Sequence, residues 1–163
     1  MPYCYLSALG DPSHWEASLV GEKRTKAAPT ILVINDDQEI LTLFEEILRE
    51  AGYGALLYSA AIRDLAEIER LQPDLIIIDY LIGHEESGWQ MLQKIKLRRA
   101  TATIPIVVCT AATKLLLETS GYLLSKRVIA LPKPFDIDEL LSAIQRALAL
   151  PRSVPDGDGQ LDG

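Results

Sequence analysis

The chain has 163 residues and a formal net charge of -7, and hydrophobic residues make up 48% of it. These values are typical of one globular domain with a real core. The negative charge argues against nucleic acid as a direct partner, because phosphate binding needs a basic face. No apolar stretch approaches the roughly 20 residues of a membrane-spanning helix, and the first residues lack the basic start and apolar segment of a signal peptide. We therefore expect a cytoplasmic protein that does not contact the membrane.

The composition divides the chain into three parts. Residues 1–28 show no helical or strand periodicity of apolar residues and are predicted to form an N-terminal extension of unknown role. The sequence leaves open whether this extension is disordered. Residues 29–150 carry regularly alternating strand and helix signals and are predicted to form the domain. Residues 151–163, PRSVPDGDGQLDG, are rich in Pro, Gly and Asp, which is typical of a flexible tail.

The first predicted elements are a strand and a helix. The apolar run ILVI stops at the polar residues Asn35, Asp36 and Asp37, which is typical of a strand buried on both faces. Asp37 is the predicted N-cap of a helix with apolar residues at helical spacing, and Gly52 is predicted to end it.

Four more strand and helix units follow. GALLYS is the second predicted strand, and Ser59 is the predicted cap of the next helix, whose inward face we expect to contain Ile62, Leu65, Ala66 and Ile68. DLIIID is the third strand and ends in Asp79. IPIVVCT is the fourth and ends at Thr110. A helix of uncertain length around residues 114–126 precedes VIALPKPF, the fifth strand, which ends at Lys133.

The last predicted helix begins at Asp136 as its N-cap, and we expect its buried face to contain Ile137, Leu140, Leu141, Ile144 and Leu148. Five such units in succession predict an α/β fold, with a parallel sheet covered by helices on both faces.

Polar side chains stand at the ends of four predicted strands. They are Asn35 with Asp36, Asp79, Thr110 and Lys133. In a flavodoxin-like strand order of 2-1-3-4-5 these groups converge at one edge of the sheet. Two carboxylates and a carbonyl suit Mg²⁺, and Asp79 can act as a carboxylate nucleophile toward phosphorus. The Lys133 ammonium would then neutralise charge on the transferring oxygens.

Residues 29–149 resemble the receiver domain of two-component response regulators. The resemblance is carried by the acid at the end of the first strand, by Asp79, by Thr110 with Ala111, and by the Lys-Pro-Phe triplet at residues 133–135. It implies a flavodoxin-like, doubly wound five-stranded parallel sheet of order 2-1-3-4-5, with Asp79 as the phosphoacceptor. It also implies a Mg²⁺ ion that is bound by Asp36, Asp79, the backbone carbonyl of Leu81 and, through water, Asn35. Thr110 would carry the switch hydroxyl, and Lys133 would bind the phosphoryl group.

The resemblance also implies partners. A histidine kinase or a phosphotransfer protein would donate the phosphoryl group. The chain would catalyse its own phosphorylation from that donor and would turn over no separate substrate. The downstream partner is expected to be a protein of unknown identity. The apolar segment KLLLETSGYLL is either core or an exposed patch for homodimer formation or partner docking, and the sequence leaves both open.

The sequence departs from the family pattern in ways that bear on mechanism. Asn35 stands where the family usually has an acid, which predicts weaker Mg²⁺ binding than in a site with two acids. Ala130 stands where the family usually has the Tyr or Phe that follows the switch hydroxyl, so signalling would need another element, such as Tyr122 or the helix before the fifth strand. Leu81 and Ala112 are apolar at positions that influence attack of water on the phosphoryl group, which predicts a long-lived phosphate.

Three functional hypotheses remain open from the sequence. The leading hypothesis is a stand-alone receiver domain controlled by phosphorylation, because only a short segment follows the last helix. The alternative is a pseudo-receiver that acts as a protein-interaction module without phosphorylation, as Asn35 and Ala130 suggest. The third is a phosphotransfer enzyme of the haloacid dehalogenase type, which is disfavoured because it needs a second acid at the position of Leu81.

Overall fold

A computed structural model describes residues 27–59, 65–82, 87–111, 121 and 123–151 of the chain. They form a five-stranded, parallel sheet of order β2-β1-β3-β4-β5. The strands are β1 (Thr30–Ile34), β2 (Gly54–Tyr58), β3 (Leu75–Asp79), β4 (Ile106–Thr110) and β5 (Val128–Pro132). The helices are α1 (Gln38–Glu50), α2 (Leu65–Leu71), α3 (Ser87–Leu97) and α4 (Ile137–Ala149). The predicted fold class and strand order are confirmed.

Helices cover both faces of the sheet and create two apolar clusters. On one face, side chains of α1 and α4 such as Phe44 and Ile144 pack against Ile31, Ile77 and Val107. On the other face, side chains of α2 and α3 pack against residues such as Leu32, Ile76 and Ile106. Every residue of β3 and β4 is buried, because these strands have neighbours on both edges and helices on both faces. In the described part of the chain, no helix is long and apolar enough to cross a membrane.

Side chains fix the helix ends where the sequence predicted them. The Asp37 carboxylate accepts hydrogen bonds from the backbone N–H groups of Glu39 at 2.8 Å and Ile40 at 3.3 Å, so it caps α1. Gly52 follows this helix with a φ of 82°, a left-handed conformation that favours glycine. Asp136 caps α4 and forms a reciprocal capping box with Glu139.

Two residues predicted to face the core do not. Ile137 is 53% exposed in the first turn of α4, and Ala66 is exposed on α2. Helical periodicity gives the direction of a side chain but not whether neighbouring elements extend far enough to cover it. Ile62 lies outside the described residues. Ser59 is described, but residues 60–64, where the helix that it was predicted to cap would begin, are not.

Other sequence predictions fall partly or wholly outside the described residues. The expected extension and tail lie at residues 1–26 and 152–163, for which no structure is described. Most of KLLLETSGYLL, including Tyr122, is also outside. Of its described residues, Leu123 is 2% exposed and Leu124 is 51% exposed, so the choice between core and surface patch stays open.

Two cations hold the connection between α3 and β4 at the amino-terminal edge of the sheet. The Lys96 ammonium donates hydrogen bonds to the carbonyls of Ala102 at 3.2 Å and Ile104 at 2.5 Å. The buried Arg127 guanidinium donates to the carbonyls of Thr103 and Leu150. Burial, and to a smaller extent the charge of Arg127, lower the pKa of Lys96 from 10.5 to about 7.

This shift predicts a pH dependence of stability. Between about pH 7 and pH 10.5 the unfolded chain keeps the Lys96 proton that the folded chain releases, so the free energy of unfolding rises with pH in this window. The slope from this one group is at most about 1.4 kcal/mol per pH unit. Lys96→Met removes this contribution, and urea unfolding at several pH values measures it as the difference between parent and variant. Lys94→Met, at an exposed position of the same helix, serves as the control. Equal pH slopes in the parent and Lys96→Met would contradict the prediction.

Candidate functional site

The carboxyl ends of β1, β3 and β5 bring three predicted site residues into contact. Asp79 is the last residue of β3, and Asn35 follows β1, whose Ile34 pairs with Ile78 in the sheet register. Lys133 follows β5. Because parallel strands end at the same edge, residues distant in the sequence meet there.

The Asp79 carboxylate accepts hydrogen bonds from three groups of the protein. Its Oδ2 accepts from Lys133 Nζ at 2.5 Å and from Asn35 Nδ2 at 3.2 Å. Its Oδ1 accepts from the backbone N–H of Leu81 at 3.2 Å. We call these three donors, Asn35, Leu81 and Lys133, the Asp79 cradle. The Asp79 side chain is only 11% exposed whereas that of Lys133 is 39% exposed, so the cradle compensates a carboxylate that has lost most of its water.

The amide of Asn35 is held in one orientation. Its Oδ1 accepts a hydrogen bond from the backbone N–H of Asp37 at 2.8 Å. A backbone N–H is only a donor, so the amide atom facing it must be the oxygen. The amide nitrogen therefore faces Asp79. Asn35 is also 7% exposed and its own backbone N–H donates to the carbonyl of Tyr58 at 3.1 Å, which fixes the residue at this edge of the sheet.

Thr110 lies at the end of β4, between the strands that hold Asp79 and Lys133. It is 2% exposed, and its backbone carbonyl accepts a hydrogen bond from the backbone N–H of Lys133 at 2.8 Å. Lys133 is followed by a cis peptide bond to Pro134. The position of Lys133 is thus tied to the end of β4 through the main chain.

The remaining predicted residues lie beside the cradle. Asp36 is exposed in the turn between β1 and α1, and Leu81 is 50% exposed just after β3. Within the described residues, no group of three or more His, Cys, Asp or Glu side chains could hold a metal ion. A cation here would use Asp36, Asp79, a main-chain oxygen and water. That donor set fits Mg²⁺, which binds oxygen and keeps several waters.

Ala130 lies in the middle of β5, at the position where the sequence lacks the expected aromatic side chain. It is half-buried and lines a groove of about 420 Å³ between β5 and α4. Pro132, Asp136 and Ser142 also line this groove. Ala112, which the sequence analysis also singled out, lies outside the described residues.

Cys109 lies next to Asp79 in the sheet register but offers no second nucleophile. It is 3% exposed. Burial raises its pKa to about 12, with a smaller lowering from Lys133 and a raising contribution from Asp79. The thiol is therefore protonated at neutral pH.

Gly88 supports the site in a way that sequence reasoning missed. A Cβ atom at this position would lie 1.8 Å from the backbone carbonyl oxygen of Asp79 and 2.7 Å from that of Tyr80. The first turn of α3 therefore lies directly against the main chain that carries Asp79. A glycine in a helix, where it is unfavourable, was the available signal of such a close approach.

Comparison with known proteins agrees with this fold. Residues 31–145 match the family model of the response regulator receiver domain. The chain is 32% identical over 127 residues to the DNA-binding dual master transcriptional regulator RpaA of Synechocystis, an alignment that covers 78% of this chain and 52% of that protein. It is also 32% identical over 143 residues to the DNA-binding transcriptional regulator NtrC of Bradyrhizobium, covering 83% of this chain and 28% of that protein. The chain thus spans about half of the first relative and about a quarter of the second.

Solved structures share the same architecture. A response regulator from Chloroflexus aurantiacus superimposes with a TM-score of 0.63 at 27% identity, covering 75% of this chain and 98% of the other. The receiver domain of the sensor histidine kinase PA1611 from Pseudomonas aeruginosa, with a magnesium ion coordinated in its active site cleft, gives a TM-score of 0.60 at 27% identity, covering 75% of this chain and 98% of the other.

The chain belongs to the response regulator receiver domain family. Domains of this family are signalling modules, and the Pseudomonas receiver domain holds its magnesium ion in the active site cleft.

The packing of Gly88 predicts a sharp effect of adding one methyl group. Gly88→Ala forces α3 away from the end of β3, and we expect it to lower the free energy of unfolding by more than about 2 kcal/mol. Gly121→Ala is the matched control, because a Cβ at Gly121 meets nothing within 4 Å. Urea unfolding of both variants measures the difference. A Gly88→Ala variant as stable as Gly121→Ala would contradict the close contact.

Proposed function

We propose that this receiver domain accepts a phosphoryl group on Asp79 from a histidine kinase or phosphotransfer protein, in a reaction that requires Mg²⁺. The phosphorylated domain then binds a downstream protein differently. The observation that carries the proposal is the cradle contact of Lys133 Nζ with Asp79 Oδ2 at 2.5 Å, at the ligand-binding edge of a parallel sheet.

The cradle supplies part of what phosphoryl transfer needs. A carboxylate oxygen of Asp79 attacks the donor phosphorus in line, a new O–P bond forms, and the bond to the donor breaks with its electron pair. The Lys133 ammonium lies where it can neutralise charge on the transferring oxygens. Asp36, Asp79 and the Leu81 carbonyl, with Asn35 through water, would hold Mg²⁺, which would neutralise further charge on the transferring oxygens.

The response to phosphorylation involves Thr110. Thr110 lies at the buried end of β4, and the hydrogen bond from the Lys133 N–H to its backbone carbonyl links β4 to β5. Since Ala130 has no ring to turn inward, we propose that movement of Thr110 passes to β5 through this main-chain link. The groove beside Ala130 then changes shape with it.

The extent of the domain and its setting are also proposals. The family match supports a domain at residues 29–150, flanked by an extension at 1–28 and a tail at 151–163. The sequence predicts a cytoplasmic location and no direct contact with nucleic acid or membrane. It leaves open whether the protein forms a homodimer.

A pseudo-receiver is the second candidate, favoured by one specific observation. The cradle satisfies both oxygens of Asp79 with protein donors alone, so the site is stable without a phosphodonor or a cation. In this alternative the domain acts as a protein-interaction module independent of phosphorylation.

Intact mass separates the two functions. After incubation with Mg²⁺ and either acetyl phosphate or phosphoramidate, we expect the parent to gain one phosphoryl group and Asp79→Ala to gain none, because the nucleophile is lost. Asp37→Ala is the control for a neighbouring carboxylate that caps α1, and it should be modified like the parent. A parent unmodified by both donors and by a phosphorylated histidine kinase domain would favour the pseudo-receiver.

The lifetime of the phosphoryl group provides a second test. Leu81 is half-exposed beside Asp79 and has no polar group to hold an attacking water, so slow hydrolysis is expected. Leu81→Asn should accelerate loss of the phosphoryl group by between about tenfold and a hundredfold, measured by intact mass against time. Leu124→Asn, at a similarly exposed leucine outside the site, should leave the rate unchanged. Fast loss in the parent would argue against a long-lived phosphate.

A further inference from the structure

Asn35 differs from the acid usual at its position in both charge and hydrogen bonding. Its amide nitrogen donates to Asp79 Oδ2 at 3.2 Å, and the Asp37 N–H prevents the amide from turning over. An aspartate side chain of the same shape would keep the bond from the Asp37 N–H. It would place its second oxygen about 3 Å from Asp79 Oδ2, where two carboxylates repel each other strongly.

Lys133 cannot resolve such a conflict alone. Among the described residues, its ammonium group is the positive charge that contacts Asp79, and its side chain is 39% exposed. One ammonium balances one carboxylate, so a second carboxylate at this depth would need a proton or a bound cation. With Asn35 in place, the charges of Asp79 and Lys133 already balance and each Asp79 oxygen has a donor.

We propose that Asn35 is a positioning residue that holds Asp79 in its reactive orientation without a divalent cation. The site is then assembled before Mg²⁺ binds, so the cation serves phosphoryl transfer and is not needed to keep Asp79 in place. The inference rests on the proposed function only in taking Mg²⁺ as the relevant cation.

Thermal unfolding with EDTA or with excess Mg²⁺ tests the proposal without any phosphodonor. At a constant pH of about 8, where carboxyl groups are ordinarily ionised, the parent should gain less unfolding temperature from Mg²⁺ than Asn35→Asp does, because only the mass-action effect of a bound cation stabilises it. Asn35→Asp should unfold at least about 4 °C lower than the parent in EDTA and recover most of this loss in Mg²⁺. Asn35→Ala, which removes the donor without adding charge, should lose less than Asn35→Asp in EDTA.

A double variant separates charge repulsion from general disruption. Asn35→Asp combined with Asp79→Asn leaves one carboxylate and one amide at the two positions, as in the parent. In EDTA it should unfold at a higher temperature than Asn35→Asp alone, because the like charges are gone. Failure of this recovery would overturn the proposal, as would equal unfolding temperatures of the parent and Asn35→Asp in EDTA. A gain of the parent in Mg²⁺ as large as that of Asn35→Asp would also overturn it.

These outcomes are independent of phosphorylation. If Asp79 accepts no phosphoryl group while the EDTA pattern holds, the proposed function fails and the role of Asn35 stands. If Asp79 is phosphorylated and Asn35→Asp loses nothing in EDTA, the role of Asn35 fails and the proposed function stands.

Discussion

The site depends on one carboxylate, that of Asp79, which lies at the end of a buried central strand. Removing such a group from water costs several kcal/mol unless donors replace the lost hydrogen bonds. Here the donors come from Asn35 after β1, from Leu81 after β3 and from Lys133 after β5. No single segment could provide them. The strand order places β1 on one side of β3, and β4 followed by β5 on the other side. The donors that follow β1 and β5 therefore meet at Asp79, at the end of β3.

The turn between β1 and α1 links helix formation to the geometry of this site. Asp37 caps α1 with its side chain, while its backbone N–H orients the amide of Asn35. The conformation that begins the helix is therefore the same one that aims a donor at Asp79. Gly88 has a comparable role at the other end of the site, because it lets the first turn of α3 rest against the main chain of Asp79. Two helix starts thus define where the carboxylate lies.

Local sequence patterns were sufficient for the fold and for placing Asn35, Asp79 and Lys133 at one edge of the sheet. Buried strands appear as short β-branched runs, and Asp37 and Asp136 mark helix starts through a short-range hydrogen bond. Convergence of Asn35, Asp79 and Lys133 followed once the strand order was assumed. Three features depend on tertiary contacts and were not predictable: the exposure of Ile137, the close approach at Gly88, and the direction of the Asn35 amide, which depends on which of its ends meets a backbone donor.

Charge balance at the cradle suggests when this site needs a cation. With Asn35 beside it, the Asp79 carboxylate is matched by the Lys133 ammonium, and the exposed Asp36 is screened by water. In the proposed reaction, the single charge of Asp79 is exchanged for a phosphoryl group, which carries close to two negative charges at neutral pH. Lys133 then balances only part of the charge. An amide at position 35 would therefore move the demand for a cation from the resting state to the phosphorylated state. The weaker Mg²⁺ binding that the sequence predicts at rest would leave the need for Mg²⁺ during transfer intact.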